Sequence, residues 1–206
     1  MPDDSVHIPM RSVAVSIKQA RNLALVGQGF DCDDYRPVTK RRIIKAIRQT
    51  NMLQVDSVNV LTHAHYMPIF SRLGVYYPTL LDQVVWGTDR QRKLFEYWGH
   101  ETSMIPVEDY PLYRWRMEDA RNGKGTWGRI ARMQREQPDL INGILARIER
   151  EGAIGASDLE DKRANSSAWW GWSDTKTAME YLFWSGQVMS RKRRSSFERV
   201  YDLPER

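Results

Sequence analysis

Caps and stops punctuate this chain at short intervals, and that punctuation constrains its fold more than any other feature. Ser16 precedes a stretch, residues 16 to 28, in which Ile17, Ala20, Leu23 or Ala24 and Val26 fall near one helical face, with Gly27 or Gly29 at its end. Thr39 can cap a second helix, KRRIIKAIRQTN, that turns Ile43, Ile44 and Ile47 inward and Lys40, Arg41, Arg42, Lys45 and Arg48 outward. Pro138 opens PDLINGILARIEREG, whose apolar stripe is Leu140, Ile141, Ile144, Leu145 and Ile148 and whose stop is Gly152. Asp174 or Thr175 caps TKTAMEYLFWSG, which Gly186 ends. No repeat of about 20 to 50 residues points to a solenoid.

Between these helices the pattern is mixed. Residues 78 to 95 begin as a helix after Pro78 and are interrupted at Gly87 and Thr88. A compact aromatic run follows from Phe95 to Glu101, and residues 107 to 121 read as a helix with Pro111 in its first turn. Asn122 to Thr126 is the best linker, a helical stretch then runs to Gln137, and Ser157 can cap a short element. After Gly186, two extended runs flank the basic turn Arg191 to Ser196. Two helices followed by an extended segment match the start of a winged helix, and a helix followed by a basic hairpin matches its wing. The expected fold is mainly α with small β-hairpins, arranged as tandem winged helix-turn-helix modules over residues 1–121 and 122–206.

Composition narrows the function classes. The 206 residues carry 31 Lys and Arg against 26 Asp and Glu, a net charge of +5 that suits a polyanionic partner. Cys32 is the single cysteine, so an intrachain disulfide and a thiolate zinc cluster are excluded, and a reducing cytoplasm is the simplest location. His63 and His65 would need carboxylate help to hold a metal, and no standard ligand set lies nearby; no metal and no cofactor are expected. The start, MPDDSVHIPMRSVAVS, lacks the basic flank and apolar core of a signal peptide, and no stretch approaches the roughly 18 apolar residues of a membrane span. A soluble monomer without membrane contact is expected.

The segment Leu53 to Val60, LQVDSVNV, is where the binary pattern fails. Read as a strand, it places Gln54, Asp56 and Val58 on one side and Val55, Ser57 and Asn59 on the other, so neither face is apolar throughout. Polar residues at such positions accompany a site under construction, which makes Gln54 and Asp56 a candidate active pair. An Asp56 that only caps a turn, with Gln54 satisfying backbone groups, is the plain structural alternative.

Several blocks together are similar to the winged-helix DNA glycosylases of the AlkZ/YcaQ type, bacterial enzymes that excise bulky alkylated purines and unhook interstrand crosslinks. They are Ala20 to Leu23, Leu53 to Tyr76, Phe95 to Pro106 and Trp169 to Leu203, in consistent order along almost the whole chain. The family's signature is Gln, an apolar residue, then Gln or Asp; Gln54-Val55-Asp56 resembles the Asp-bearing branch, associated with broader crosslink unhooking. The resemblance implies double-stranded DNA with alkylated or crosslinked purines as partner. It implies that Asp56 stabilises an oxocarbenium-like sugar and activates water, while Gln54 positions the water or contacts the sugar. No lysine lies in the motif to form a Schiff base, so a monofunctional mechanism is expected. Members of the family are longer, adding a further winged-helix portion and a β-barrel-like region, so the chain is expected to correspond to their N-terminal portion.

Other residues have two readings each. Arg191, Lys192, Arg193 and Arg194, with Arg199, are expected to contact phosphates as a basic wing, or else to form an exposed solubilising turn. Arg72 reaches a phosphate or pairs with an acidic side chain. His100 and Glu101 line the substrate cleft or form a buried hydrogen-bonded pair. Trp169, Trp170 and Trp172 anchor the second module rather than stack bases. The rival function is a winged-helix DNA-binding protein or transcription regulator without catalysis, or an inactive truncated homologue; a regulator needs an operator and releases no base.

Overall fold

A computed structural model describes residues 13–30, 36–88, 90–159 and 173–206. Trp169, Trp170, Trp172 and Cys32 lie outside the described residues. Helices α1 (Ile17–Gly27) and α2 (Lys40–Thr50) start where the caps predict: Ser16 and Gln19 form a reciprocal capping box, and the Thr39 hydroxyl accepts from the Arg42 amide. A two-residue strand β1 (Leu53–Gln54) precedes α3 (Met67–Leu73) and α4 (Thr79–Trp86). A hairpin of β2 (Leu94–Gly99) and β3 (Glu101–Pro106) follows, then a 3-10 turn over Val107–Tyr113 that carries Pro111 and runs into α5 (Arg114–Arg121). Next come α6 (Gly128–Glu136), α7 (Pro138–Glu151), β4 (Ile154–Gly155), α8 (Asp174–Trp184), β5 (Met189–Arg193) and β6 (Arg199–Asp202). Ser173, one residue earlier than expected, caps α8. The fold is mainly helical with two small antiparallel sheets, ordered β1-β3-β2 and β4-β6-β5. Among the described residues, no helix is long and apolar enough to cross a membrane.

Two hydrophobic cores lie on either side of the β2–β3 hairpin. One joins Ile43 and Ile47 of α2, Ile69 of α3, and Leu81 and Val84 of α4 to Leu53, Leu94 and Met104. The other gathers Met117 of α5, Ile130 of α6, Ile144 and Ile148 of α7, and Met179, Leu182 and Phe183 of α8 around Tyr97 and Ile105. Helix α8 is buried on all sides from Thr177 to Trp184, with Thr177 and Glu180 enclosed among its apolar side chains. Its stop is sterically specific. Gly186 has φ of 69°, and a Cβ there would fall about 2.5 Å from Met117 Sδ.

Helix α1 departs from its sequence pattern. None of its residues is buried, although Ile17, Leu23 and Val26 share the expected apolar character. It is held instead through its C-terminal carbonyls: Gln49 Nε2 donates to Val26 O at 2.9 Å, and Arg72 Nε donates to Gln28 O at 2.7 Å.

The two sheets are tied together by a buried ion network. Glu96 on β2 is 1% exposed, and its carboxylate receives Arg193 of β5 at 2.5 Å, Arg199 of β6, and the Ser190 hydroxyl at 3.0 Å. Arg199 continues to Glu180 of α8 at 2.7 Å and to the Thr102 hydroxyl on β3 at 2.6 Å. Burial alone would raise the Glu96 carboxyl, but the Arg199 and Arg193 guanidiniums outweigh it and hold the group below its ordinary 4.5. The unfolded chain therefore binds the proton first in acid. The network's contribution is complete above pH 4.5 and is lost as pH falls below that value toward the depressed folded one. Glu96→Gln leaves two buried guanidiniums short of charge and is expected to cost about 3–5 kcal/mol in urea unfolding at neutral pH; a loss below 1 kcal/mol would show that the network does not hold the sheets together.

Candidate active site

The catalytic candidates sit where a strand runs out. Leu53 and Val55 are 4% and 7% exposed and anchor β1 in the first core. Leu53 and Gln54 pair with Met104 and Ser103 of β3, and the Val55 amide donates to Thr102 O at 2.7 Å. Alternation therefore turns Gln54 and Asp56 away from that core together. The expected strand to Val60 ends here. Residues beyond Asp56 form a turn closed by an Asn59–His63 bridge and by the Ala64 amide donating to Val58 O at 2.8 Å. The inconvenient polar face seen in the sequence thus comes from reading a strand through a turn; over Leu53 to Asp56 the pattern is clean.

Asp56 does cap this turn. Its Oδ1 accepts from the Val58 amide at 2.9 Å, an Asx-turn, and its backbone carbonyl faces His65 Nδ1 at 3.2 Å. Its second carboxylate oxygen and the Gln54 amide make no hydrogen bond among the described residues. Both face a cleft of about 290 Å³ whose other walls are Trp98, Glu101, Thr102, Arg193 and Phe197. It adjoins a hollow of about 630 Å³ that shares Ser57, Trp98, Arg193 and Phe197 and extends to Trp127, Lys176 and Arg199.

His65 underpins the turn. It is 2% exposed, and burial lowers its pKa below 6.5 against the opposing pull of the Asp56 carbonyl, with His63 and Arg193 lowering it further. A neutral ring that donates from Nδ1 to the Asp56 carbonyl leaves Nε2 as an acceptor, buried and without a partner among the described residues. Phe197, in the turn between β5 and β6, stacks on His63 at 4.8 Å and lies 5.9 Å from His65. It does so at φ of 65°, a conformation that a bulky residue adopts only when its surroundings demand it. The second sheet's turn is thus clamped onto the segment carrying Asp56.

The family model described as DNA glycosylase AlkZ-like matches residues 47–206. The chain belongs to this family of DNA glycosylases. No solved structure matches it. The matched range includes Gln54 and Asp56 and excludes α1 and most of α2.

Within an AlkZ-like chain the basic residues divide sharply. Arg193 and Arg199 turn inward onto Glu96 because β5 and β6 pack their inner face against the hairpin, so they do not belong to the exposed wing that the sequence suggests. The observed turn is Arg194 to Glu198, which places Arg191 to Arg193 within β5. Arg194 pairs with Asp158 and with Glu198, and Arg191 Nη1 donates to Gly87 O at 3.2 Å. Lys192 is exposed. Arg72 pairs with no acidic side chain among the described residues: it donates to the carbonyls of Gln28 and Pro68 and lies over the Phe30 ring at 4.4 Å. His100 and Glu101 occupy the β2–β3 turn and both are exposed, so the buried pair is not formed; Glu101 lines the cleft beside Asp56 and His100 does not.

Sequence reasoning missed Glu96, Trp98 and Phe197, and weighed His65 only as a metal ligand. A glutamate inside FEYWG was the one available signal, since a charge amid buried aromatics demands a partner.

The Asx-turn makes two Asp56 variants separable. Asn retains an acceptor for the Val58 amide, so Asp56→Asn is expected to unfold within roughly 0.5 kcal/mol of the parent, whereas Asp56→Ala loses about 1 kcal/mol. Equal stabilities in urea titration would mean that the turn does not depend on this side chain.

Proposed function

We propose that this chain hydrolyses the N-glycosidic bond of alkylated purines in double-stranded DNA and unhooks interstrand crosslinks by the same step. One observation carries the reading: from an anchored strand end, Asp56 and Gln54 line the same aromatic-walled cleft, with one carboxylate oxygen and the Gln54 amide left without a hydrogen-bond partner among the described residues. An N7- or N3-alkylated purine is already cationic, so it departs without a strong general acid. Departure leaves positive charge on the deoxyribose, which the free oxygen of Asp56 stabilises, at a distance set in advance by the Asx-turn. The same oxygen accepts the proton of the attacking water as it bonds to the anomeric carbon, and Gln54 orients that water through its carbonyl or amide.

The reading is monofunctional. Among the described residues, the cleft around Asp56 has no lysine in its lining to form a Schiff base with the opened sugar. Lys192, with Arg191 and Arg194 beside it, is the cation we assign to DNA phosphates, while Arg193 and Arg199 serve the fold. The division into two winged-helix modules at residues 121 and 122 belongs to the same proposal. Helix α5 precedes that boundary yet buries Met117 and Ala120 in the second core, so the modules would share it.

Incubation of N7-alkylguanine duplex and of a nitrogen-mustard-type crosslink with the parent protein is expected to yield abasic product. Asp56→Asn should reduce release by roughly 10²- to 10³-fold or more while leaving DNA affinity unchanged. Absence of product from both substrates, combined with selective binding to one undamaged sequence, would favour a regulator instead. Borohydride should trap no covalent adduct; a trapped adduct would overturn the monofunctional mechanism. Lys192→Ser is expected to weaken binding uniformly across DNA sequences and to reduce the salt slope by about 1.

A further inference from the structure

The turn that follows Asp56 exposes large aliphatic side chains that pack against nothing among the described residues. Val60 is 87% exposed and Leu61 is 94% exposed, with Val58 at 56% behind them. Single exposed aliphatics are ordinary on a protein surface. These are not scattered: they follow Asp56 by four and five residues, at the tip of a turn closed by the Asn59–His63 bridge and the Ala64-to-Val58 hydrogen bond. The base of the turn is rigid, because His65 is buried and His63 and His65 lie against Phe197. A firmly mounted apolar tip beside a carboxylate that must reach a sugar inside a base-paired helix has the form of a wedge.

We propose that Val60 and Leu61 enter the DNA base stack beside the damaged purine and hold the step open while Gln54 and Asp56 act on the sugar. The inference rests on the glycosylase reading and extends it to how the lesion is presented. Aliphatic side chains are suited to such insertion, because they fill the space between parted bases without competing for their hydrogen bonds, and partial unstacking kinks the duplex toward the protein. Access to the sugar is then coupled to the position of Asp56 through the same five-residue segment. A lesion that already weakens stacking needs less of this help, so the wedge also favours damaged over intact steps.

The test places 2-aminopurine next to an N7-alkylguanine in a duplex and follows its fluorescence on binding of the inactive Asp56→Asn protein. Fluorescence is expected to rise with Asp56→Asn, and the rise is expected to disappear when Val60→Ser and Leu61→Ser are added. It is expected to persist when Leu112→Ser, a change at another exposed aliphatic, is added instead. In the otherwise unmodified protein, Val60→Ser with Leu61→Ser should slow base release from the paired duplex roughly tenfold or more. Release should recover toward the parent rate when the lesion faces a mismatch that is already unstacked. The wedge is overturned if Asp56→Asn gives no rise, if the rise survives both turn substitutions, if Leu112→Ser abolishes it equally, or if paired and mismatched substrates lose rate alike. Fluorescence requires no bond cleavage, so failure of the wedge and failure of the glycosylase reading are read separately.

Discussion

Everything the second sheet does near Asp56 depends on one buried carboxylate. Glu96 lies on the β2–β3 hairpin that both cores share, and it draws Arg193 and Arg199 of the other sheet onto it. A buried ion network is a weak source of net stability, because desolvating its four charges offsets most of their attraction; its effect is to exclude other arrangements. Held on Glu96, the Arg193 guanidinium lies over the Phe197 ring at 4.2 Å. Phe197 then stacks on His63, and His65 beside it faces the carbonyl of Asp56. The path from Glu96 to the candidate carboxylate is thus a chain of direct contacts, each fixing the next.

That role explains why the basic row misleads when read as a surface. Arg191 to Arg194 look alike in sequence, but β5 packs against the hairpin, and a register shift in its pairing with β6 between Ser190 and Lys192 lets both Ser190 and Arg193 reach Glu96 while Lys192 stays exposed. Arg193 is committed to the buried Glu96 carboxylate, and Arg194 to Asp158 and Glu198. Lys192 is exposed and Arg191 is bonded only to the Gly87 carbonyl, so theirs are the charges of this row that remain available over distances of a Debye length. Positive charge counted from composition therefore overstates what this hairpin offers to DNA.

The helices were legible because their signals are local. Ser16, Thr39, Pro138, Gly152 and Gly186 act on backbone groups within a turn of themselves, and each sits at or beside an observed boundary. The β2–β3 hairpin was not legible. Its residues from Leu94 to Trp98 and from Thr102 to Pro106 face cores on both sides, so the two-residue alternation that marks a half-buried strand is absent. Helix α1 failed in the opposite sense: its apolar periodicity is real, yet none of its residues is buried, and among the described residues two carbonyl contacts tie its C-terminal end to α2 and α3. Gln54 and Asp56 were legible as a pair, while their surroundings were not, since Trp98, Arg193 and Phe197 arrive from 42 to 143 positions away along the chain.

Turn cap and active carboxylate were opposed explanations of Asp56 in the sequence, and the geometry makes them complementary. A carboxylate has two oxygens. Committing one to the Val58 amide fixes the orientation of the group and leaves the other aimed into the cleft, without the reorganisation that a freely rotating aspartate would need as charge develops. The neutral His65 fits the same scheme, since its hydrogen bond goes to the backbone carbonyl and adds no positive charge beside the carboxylate. In the proposed mechanism an imidazolium there would draw the carboxylate's field away from the sugar, so a neutral His65 suits that mechanism as well as the shape of the turn.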